Sequence, residues 1–375
     1  MNYLNLTESI TDEKQKSKKK KKKKKKGDKG ELESLQKPQP KEFETKETKL
    51  PSKLEGKVKV KKKNQDLSLE VETIEVEKIE LKKGEYIKLI GITSVDRTDL
   101  FCNNKSLEYL LELTNNLNFI ATSILGGELD KMLLISEDNA EEKCQWYIKN
   151  NLIYMLYGIF PDKKGKWLLE QMSNHFSELL QHKDIDKLEK LEKYQIETKF
   201  KGRLKFLIEE YLKMQDVFSD DDISYIEDRI RIDYTGLSSK SIGVISLLLG
   251  DELNVESPGV FDNPEEEKEM KESMLTAKIE AIAANTQGNT GATPKWIAVK
   301  LGFQNYRFLT FKKFQNDFFL YFLSEGNLEK IKIIEDQLMP YISHVVDKPF
   351  TGNLRPFNNL KMTLIDHFKK TREFA

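Results

Sequence analysis

The densest chemistry in this 375-residue sequence is a run of nine adjacent lysines: Lys18, Lys19, Lys20, Lys21, Lys22, Lys23, Lys24, Lys25 and Lys26. Adjacent cations attract polyanions. An anionic lipid surface contributes about 1 kcal/mol per lysine held near it, and nucleic acid is bound by counterion release without regard to its sequence. A solvated tail that binds neither is the third reading. With no apolar anchor beside it, the run makes only a reversible membrane attachment. A second candidate is Ser238, Ser239 and Lys240, within GLSSKSI at 236–242. These residues read as a hairpin tip placed to meet a partner or accept phosphate, and a plain polar turn is the competing reading.

Residue sets that carry catalysis are not signalled. The four histidines, His175, His182, His344 and His367, form no HxxxH or Cys/His pattern, and a metal needs convergent ligands at set spacings. Cys102 and Cys144 make no CxxC and have no base nearby in sequence, so structural thiols are expected. Asp220, Asp221 and Asp222 follow Ser219, which reads as a helix cap. A calcium loop needs alternating ligands, glycine at the sixth place and glutamate at the twelfth. There is no GxxxxGK[ST]. GNTG at 288–291 follows a helix and precedes a strand, the reverse of a phosphate-cradling loop. No catalytic residue, cofactor or metal is expected, and the chain reads as a non-enzyme.

Composition bounds the partners. Lys+Arg and Asp+Glu are both 62, for a formal charge of zero. Residues 1–63 hold 22 lysines against 10 acidic residues, so a basic tail precedes a mildly acidic body. That tail has few large apolar residues, with Pro38, Pro40 and Pro51 among them, and is expected to be disordered because it cannot offset ordering entropy by burial. Charged residues make up 33% and hydrophobic ones 38%, with no apolar run of the ~18 residues a spanning helix needs. Two isolated cysteines and no signal-peptide pattern lead to a cytoplasmic expectation.

Positioning elements follow from periodicity. LSLEVETIEVEKIELKK at 67–83 alternates with a slip and is read as an edge strand, followed by the strand YIKLIGITS at 86–94. DRTDLFCNN is read as a loop. Leu107, Leu110, Leu111, Leu113 and Leu117 give a helical face, ended by Gly126-Gly127. Three strands follow, Met132–Ile135, Gln145–Lys149 and Leu152–Phe160, the last two joined by a turn at Asn150-Asn151. Trp167, Leu168, Met172, Phe176, Leu179 and Leu180 then repeat at helical spacing. A charged helical connector with a break at Gly202 occupies 183–227. Ile230–Tyr234 and Gly243–Leu249 read as a hairpin around a Thr235–Ser241 turn, with a helix from Ser239 to Leu253 as the alternative. A helix beginning near Glu265 ends in the Gly/Asn/Thr-rich stretch Asn285–Pro294. From Trp296 the strand-strand-strand-helix order seen from Lys131 returns. An irregular stretch and one amphipathic helix close the chain at 347–375.

The order β-β-α-β-β-β-α, occurring twice, resembles the longin and roadblock families, with profilin as a looser relative. The resemblance rests on element order and on the paired aromatic strands YRFLTF and DFFLYFL, over residues 67–182 and 228–346. It implies an α+β chain: two αβα longin/roadblock-like domains, each a mostly antiparallel sheet flanked by helices, plus the disordered Lys-rich N-terminal tail. It also implies a platform that binds or regulates a small GTPase or a vesicle-trafficking protein, pairing as a homo- or heterodimer through a sheet edge or a helix face, with the tail at anionic membrane. The alternative is a nucleic-acid-associated protein in which Phe308, Phe311, Phe318, Phe319, Tyr321 and Phe322 form a base-stacking sheet. Its expected RNP1 core is missing, so specific nucleic-acid binding is not expected.

Overall fold

A strand needs one apolar face and a way to satisfy its backbone, and this chain solves both by building one sheet across its whole body. In the computed structural model the sheet has twelve antiparallel-paired strands. The structure describes residues 78–374, leaving out 83, 182, 215–224, 226, 240, 241 and 258. The body, Val71–Ala375, is one compact unit. The nine-lysine run and the Ser219–Asp222 cap lie outside the described residues.

The first half contains β1 (Ile79–Glu80), β2 (Tyr86–Ser94), β3 (Asp99–Cys102), α1 (Tyr109–Ser123), β4 (Glu128–Ile135), β5 (Glu141–Lys149), β6 (Leu152–Ile159), α2 (Asp162–Leu180) and α3 (Lys190–Lys213). The second contains β7 (Ile230–Ser239), β8 (Ile242–Leu248), α4 (Pro264–Thr290), β9 (Thr293–Gly302), β10 (Asn305–Lys313), β11 (Phe318–Gly326), α5 (Ile331–Val346), α6 (Arg355–Phe368) and β12 (Glu373–Phe374). Each half follows the same path. In the first the strands lie in the order β3-β2-β6-β5-β4, and in the second β8-β7-β11-β10-β9. The short β1 and β12 add to β2 and β7.

The halves meet edge to edge, β4 against β9, and the register has a two-fold pattern. Lys131 lies opposite Ala298 while Leu133 lies opposite Trp296. Leu129 faces Val299 as Leu134 faces Pro294, and Glu128 faces Lys300 as Ile135 faces Thr293. Every such pair has a mate with the roles of the halves exchanged, and Met132 opposite Ile297 sits on the axis. The irregularities match as well: Asp130 is skipped in β4 and Lys295 in β9. An isologous contact of this kind is what two identical subunits make; here two unlike sequences make it inside one chain. The helix ends obey the same correspondence. Gly126 and Gly291 both take left-handed backbone after α1 and α4, with φ of 72° and 69°, a conformation that glycine alone adopts cheaply.

The two faces of the sheet are covered differently. On one, α1 and α4 pack on each other and share a single core, in which Leu110, Leu117, Leu275 and Ile279 meet Met132, Trp146, Ile297 and Leu309. On the other there are two separate cores. One places Phe176 and Phe200 of α2 and α3 over Ile90 and Leu156. The other places Leu338 and Leu360 of α5 and α6 over Leu320 and Phe322. Between these two helical layers no described helix covers the sheet seam.

Several sequence-based boundaries move. The second strand of the first half is β3, inside the expected loop: Leu100, Phe101 and Cys102 are buried, but three apolar residues are too few to show a period. The Thr235–Ser241 turn is mostly strand, because β7 runs to Ser239 and β8 starts at Ile242. The alternative helix over 239–253 is not formed. Gly202 does not break α3, which runs through it, and α4 continues through Gly288 to Thr290. Neither the connector nor the C-terminal extension stands apart, since α3 completes the core of the first half and α6 that of the second. The repeat is therefore one helix longer than its sequence pattern predicts.

Candidate functional site

Among the described residues the seam forms a cleft of about 810 Å³. Its floor is set by strand pairing. Lys143 of β5 lies opposite Leu133 of β4, Leu133 opposite Trp296 of β9, and Trp296 opposite Thr310 of β10. One wall is the N-terminus of α2 and the other the approach to α5, with Leu328, Ile331 and Glu335. Leu133, Ile135, Trp296, Leu328 and Ile331 are half-buried, so the centre is apolar and reachable.

The two sides of the cleft break the two-fold pattern. On the first-half side the Asp162 carboxylate, at the first turn of α2, accepts hydrogen bonds from both Lys131 and Lys143. Gln145 donates through Nε2 to the Asp162 carbonyl at 3.2 Å. A carboxylate there also complements the positive end of the helix. On the second-half side the position matching Lys131 is Trp296. Its ring meets that of the buried Phe308 edge-on at 6.1 Å, and Tyr306 stacks on Phe308 at 6.0 Å. Lys312 pairs with Glu335, and Lys295 with Glu141 at 2.8 Å at the mouth. Both sides thus carry an ion pair, and the second-half side adds the Trp296 ring. The lining residues include neither histidine nor cysteine.

Of the residues singled out from sequence, none that is described lines the cleft except Phe311. Lys18–Lys26 and Lys240 fall outside the described residues. Ser238 and Ser239 are corrected: both are fully buried in β7, and the Ser238 hydroxyl bonds to the Tyr321 hydroxyl at 2.5 Å. Neither serine can meet a partner from there. The aromatic strands are buried too. Phe311 and Tyr321 lie in the shared core, Phe318 and Phe322 under α5 and α6, and Phe308 beneath Trp296, so they do not form an open stacking surface. GNTG at 288–291 is the last turn of α4 and its glycine cap. Cys102 and Cys144 are both buried, and burial pushes both thiols up, Cys144 strongly.

Sequence reasoning missed the cleft, although Lys131 and Trp296 open the two copies of the repeat. Aligning those copies was the available signal, since it brings Lys131 and Trp296 to matching places beside the seam. Away from the cleft, several buried charges are paired within the fold. Glu142, almost fully buried, accepts from Tyr86 Oη at 2.6 Å, from Lys88 Nζ at 2.5 Å and from Tyr157. Asp233, fully buried, is held by Arg231 at 2.7 Å and Arg372 at 2.9 Å. Arg307 donates to the Leu125 carbonyl and to Glu325, so this ion network ties the second half to the end of α1. Among the described residues no group of three or more metal-ligating side chains converges, and no helix is long and apolar enough to cross a membrane. No protein-family model matches this sequence, and no curated protein matches it either.

Proposed function

We propose that this chain is a non-enzymatic interaction platform of longin/roadblock type, a dimer of αβα units built into one polypeptide, that binds a small GTPase or a trafficking protein in the seam cleft. The observation that carries the reading is the β4–β9 pairing, in which each register pair has its exchanged mate. Such a junction aligns two units into a broad rigid surface, and a rigid support is what a binding site needs to limit ordering costs. The cleft supplies the specific part: an apolar floor around Trp296, flanked by the Lys131–Asp162–Lys143 cluster. The Lys18–Lys26 segment holds the assembly near anionic membrane, reversibly.

Affinity capture tests this. Full-length protein is immobilised and exposed to cell extract loaded with either GDP or a non-hydrolysable GTP analogue. A Leu133→Glu/Trp296→Ala double variant is run in parallel. Recovery of a small GTPase or trafficking factor by the wild type, lost in the variant, is the expected result. The same recovered set with both proteins would remove the cleft from the account. Recovery of nucleic-acid-bound material alone would favour the second reading of the tail.

A further inference from the structure

The exposed face of α3 is the most anomalous surface of the body. A surface helix normally turns its polar side to water. Here Leu191 and Tyr194 are about two-thirds exposed (64% and 66%), Phe206 is 54% exposed and Leu212 39%. At 3.6 residues per turn all four fall on one side of the helix, opposite the buried stripe of Ile196, Phe200, Leu204, Leu207 and Tyr211. Between them on the same side lie Thr198 and Gly202, both exposed. Gly202 has open space around it, with no neighbour within 4 Å of where a Cβ would stand. A mid-helix glycine costs helix stability relative to alanine, and no described residue comes close enough to require one here. A glycine at this place lets another backbone approach closely.

The arrangement is nearly palindromic along the helix. Thr198 and Gly202 lie two residues on either side of Phe200, and Tyr194 and Phe206 six. A second helix laid antiparallel across this face, with its midpoint at the same level, brings Tyr194 against Phe206 twice and Thr198 against Gly202 twice. The large residues flank a small-residue crossing, which lets the axes approach to helix-packing distance. Lys205, Glu209 and Lys213 lie on the same side, and Lys213 is paired with Glu210 at 2.8 Å.

We propose that α3 is a homodimerisation surface, on which a second copy of this chain docks its own α3 antiparallel about a two-fold axis level with Thr198–Gly202. The inference stands independently of the proposed function, because α3 contributes nothing to the seam cleft. Two chains joined in this way carry two clefts, which raises avidity for any surface bearing clustered partners.

Sedimentation of the full-length protein between about 1 and 100 µM, followed by thiol cross-linking, tests the proposal. The wild type is expected to dimerise within that range. Tyr194→Glu/Phe206→Glu weakens association by about 100-fold or more, as loss of central aromatic anchors does. Gly202→Leu fills the crossing: it favours the helix and raises thermal stability, yet it abolishes the dimer, a pairing of effects that a merely structural glycine does not give. Thr198→Cys, which lies diagonal to its own copy across the crossing, is joined to it by a short bismaleimide, against a low background because both native thiols are buried. A wild type that stays monomeric at 100 µM overturns the proposal. So does a dimer that survives both sets of α3 substitutions, or a Thr198→Cys variant that forms no cross-link.

Discussion

Buried charge in this protein is arranged to be satisfied, and the consequences are testable residue by residue. Glu142 is the acceptor for two phenols and one ammonium. Glu142→Ala strands all three donors, two of them on tyrosines whose phenols burial already pushes up. A loss of about 3–5 kcal/mol is expected in denaturant unfolding, because breaking a buried pair leaves the partner uncompensated. Alkali acts on the same kind of group. Burial pushes the Tyr321 phenol up to about 12, above the ~10 of an unfolded tyrosine. The unfolded chain therefore gives up its proton first as pH rises. The stabilising contribution is complete below about pH 10 and disappears as pH passes the folded value near 12. Thermal melts should fall steeply over that window, and Tyr321→Phe should flatten the slope. None of these partnerships was legible in the sequence, because Glu142 and Tyr157 are joined by the sheet and not by spacing. Ser238 and Ser239 show the opposite failure: their polarity suggested a turn, yet β7 carries them into the interior.

Elements were more legible where their period was long. The strands from Met132, Gln145 and Leu152, the helix after Asp162 and the repeat from Trp296 all follow from alternation or helical spacing. β3 escaped because its apolar segment is three residues long. α3 was read as broken because Gly202 is a weak helix former, but one such residue costs too little to interrupt a 24-residue helix packed on α2. Strand crossings impose stricter demands. Gly158 of β6 has φ of 154°, and a Cβ there would stand 2.2 Å from the Tyr86 carbonyl oxygen of β2. Backbone cannot yield as a flexible side chain does. Gly158→Ala should therefore cost about 2–4 kcal/mol, in the range of overpacked or strained sites. Urea titration of the variant checks this; a change below about 0.5 kcal/mol would mean that β2 and β6 are further apart than described.

At the scale of the whole molecule, the repeat announced itself in sequence but its pairing did not. Nothing in KMLLI or WIAVKL says that the two strands will lie side by side, since an edge strand's partner is chosen by the helices around it. Here α1 and α4 pack together and share one core, which forces β4 and β9 into contact and leaves the seam open on the opposite face. The same geometry accounts for the cleft: the helices that would have covered it are drawn outward, each pair onto its own half. The functional reading depends on that junction being a permanent part of the fold, and hydrogen exchange measures this directly. Strands at the centre of a continuous sheet exchange only through global unfolding. Amides of Lys131–Leu134 and Trp296–Val299 should therefore be among the slowest in the protein, with protection equal to the global stability and lost together with that of α1 and α4. Fast exchange along β4 and β9, while β6 and β11 remain protected, would mean that the halves are separate domains, and the account of a built-in dimer would be contradicted.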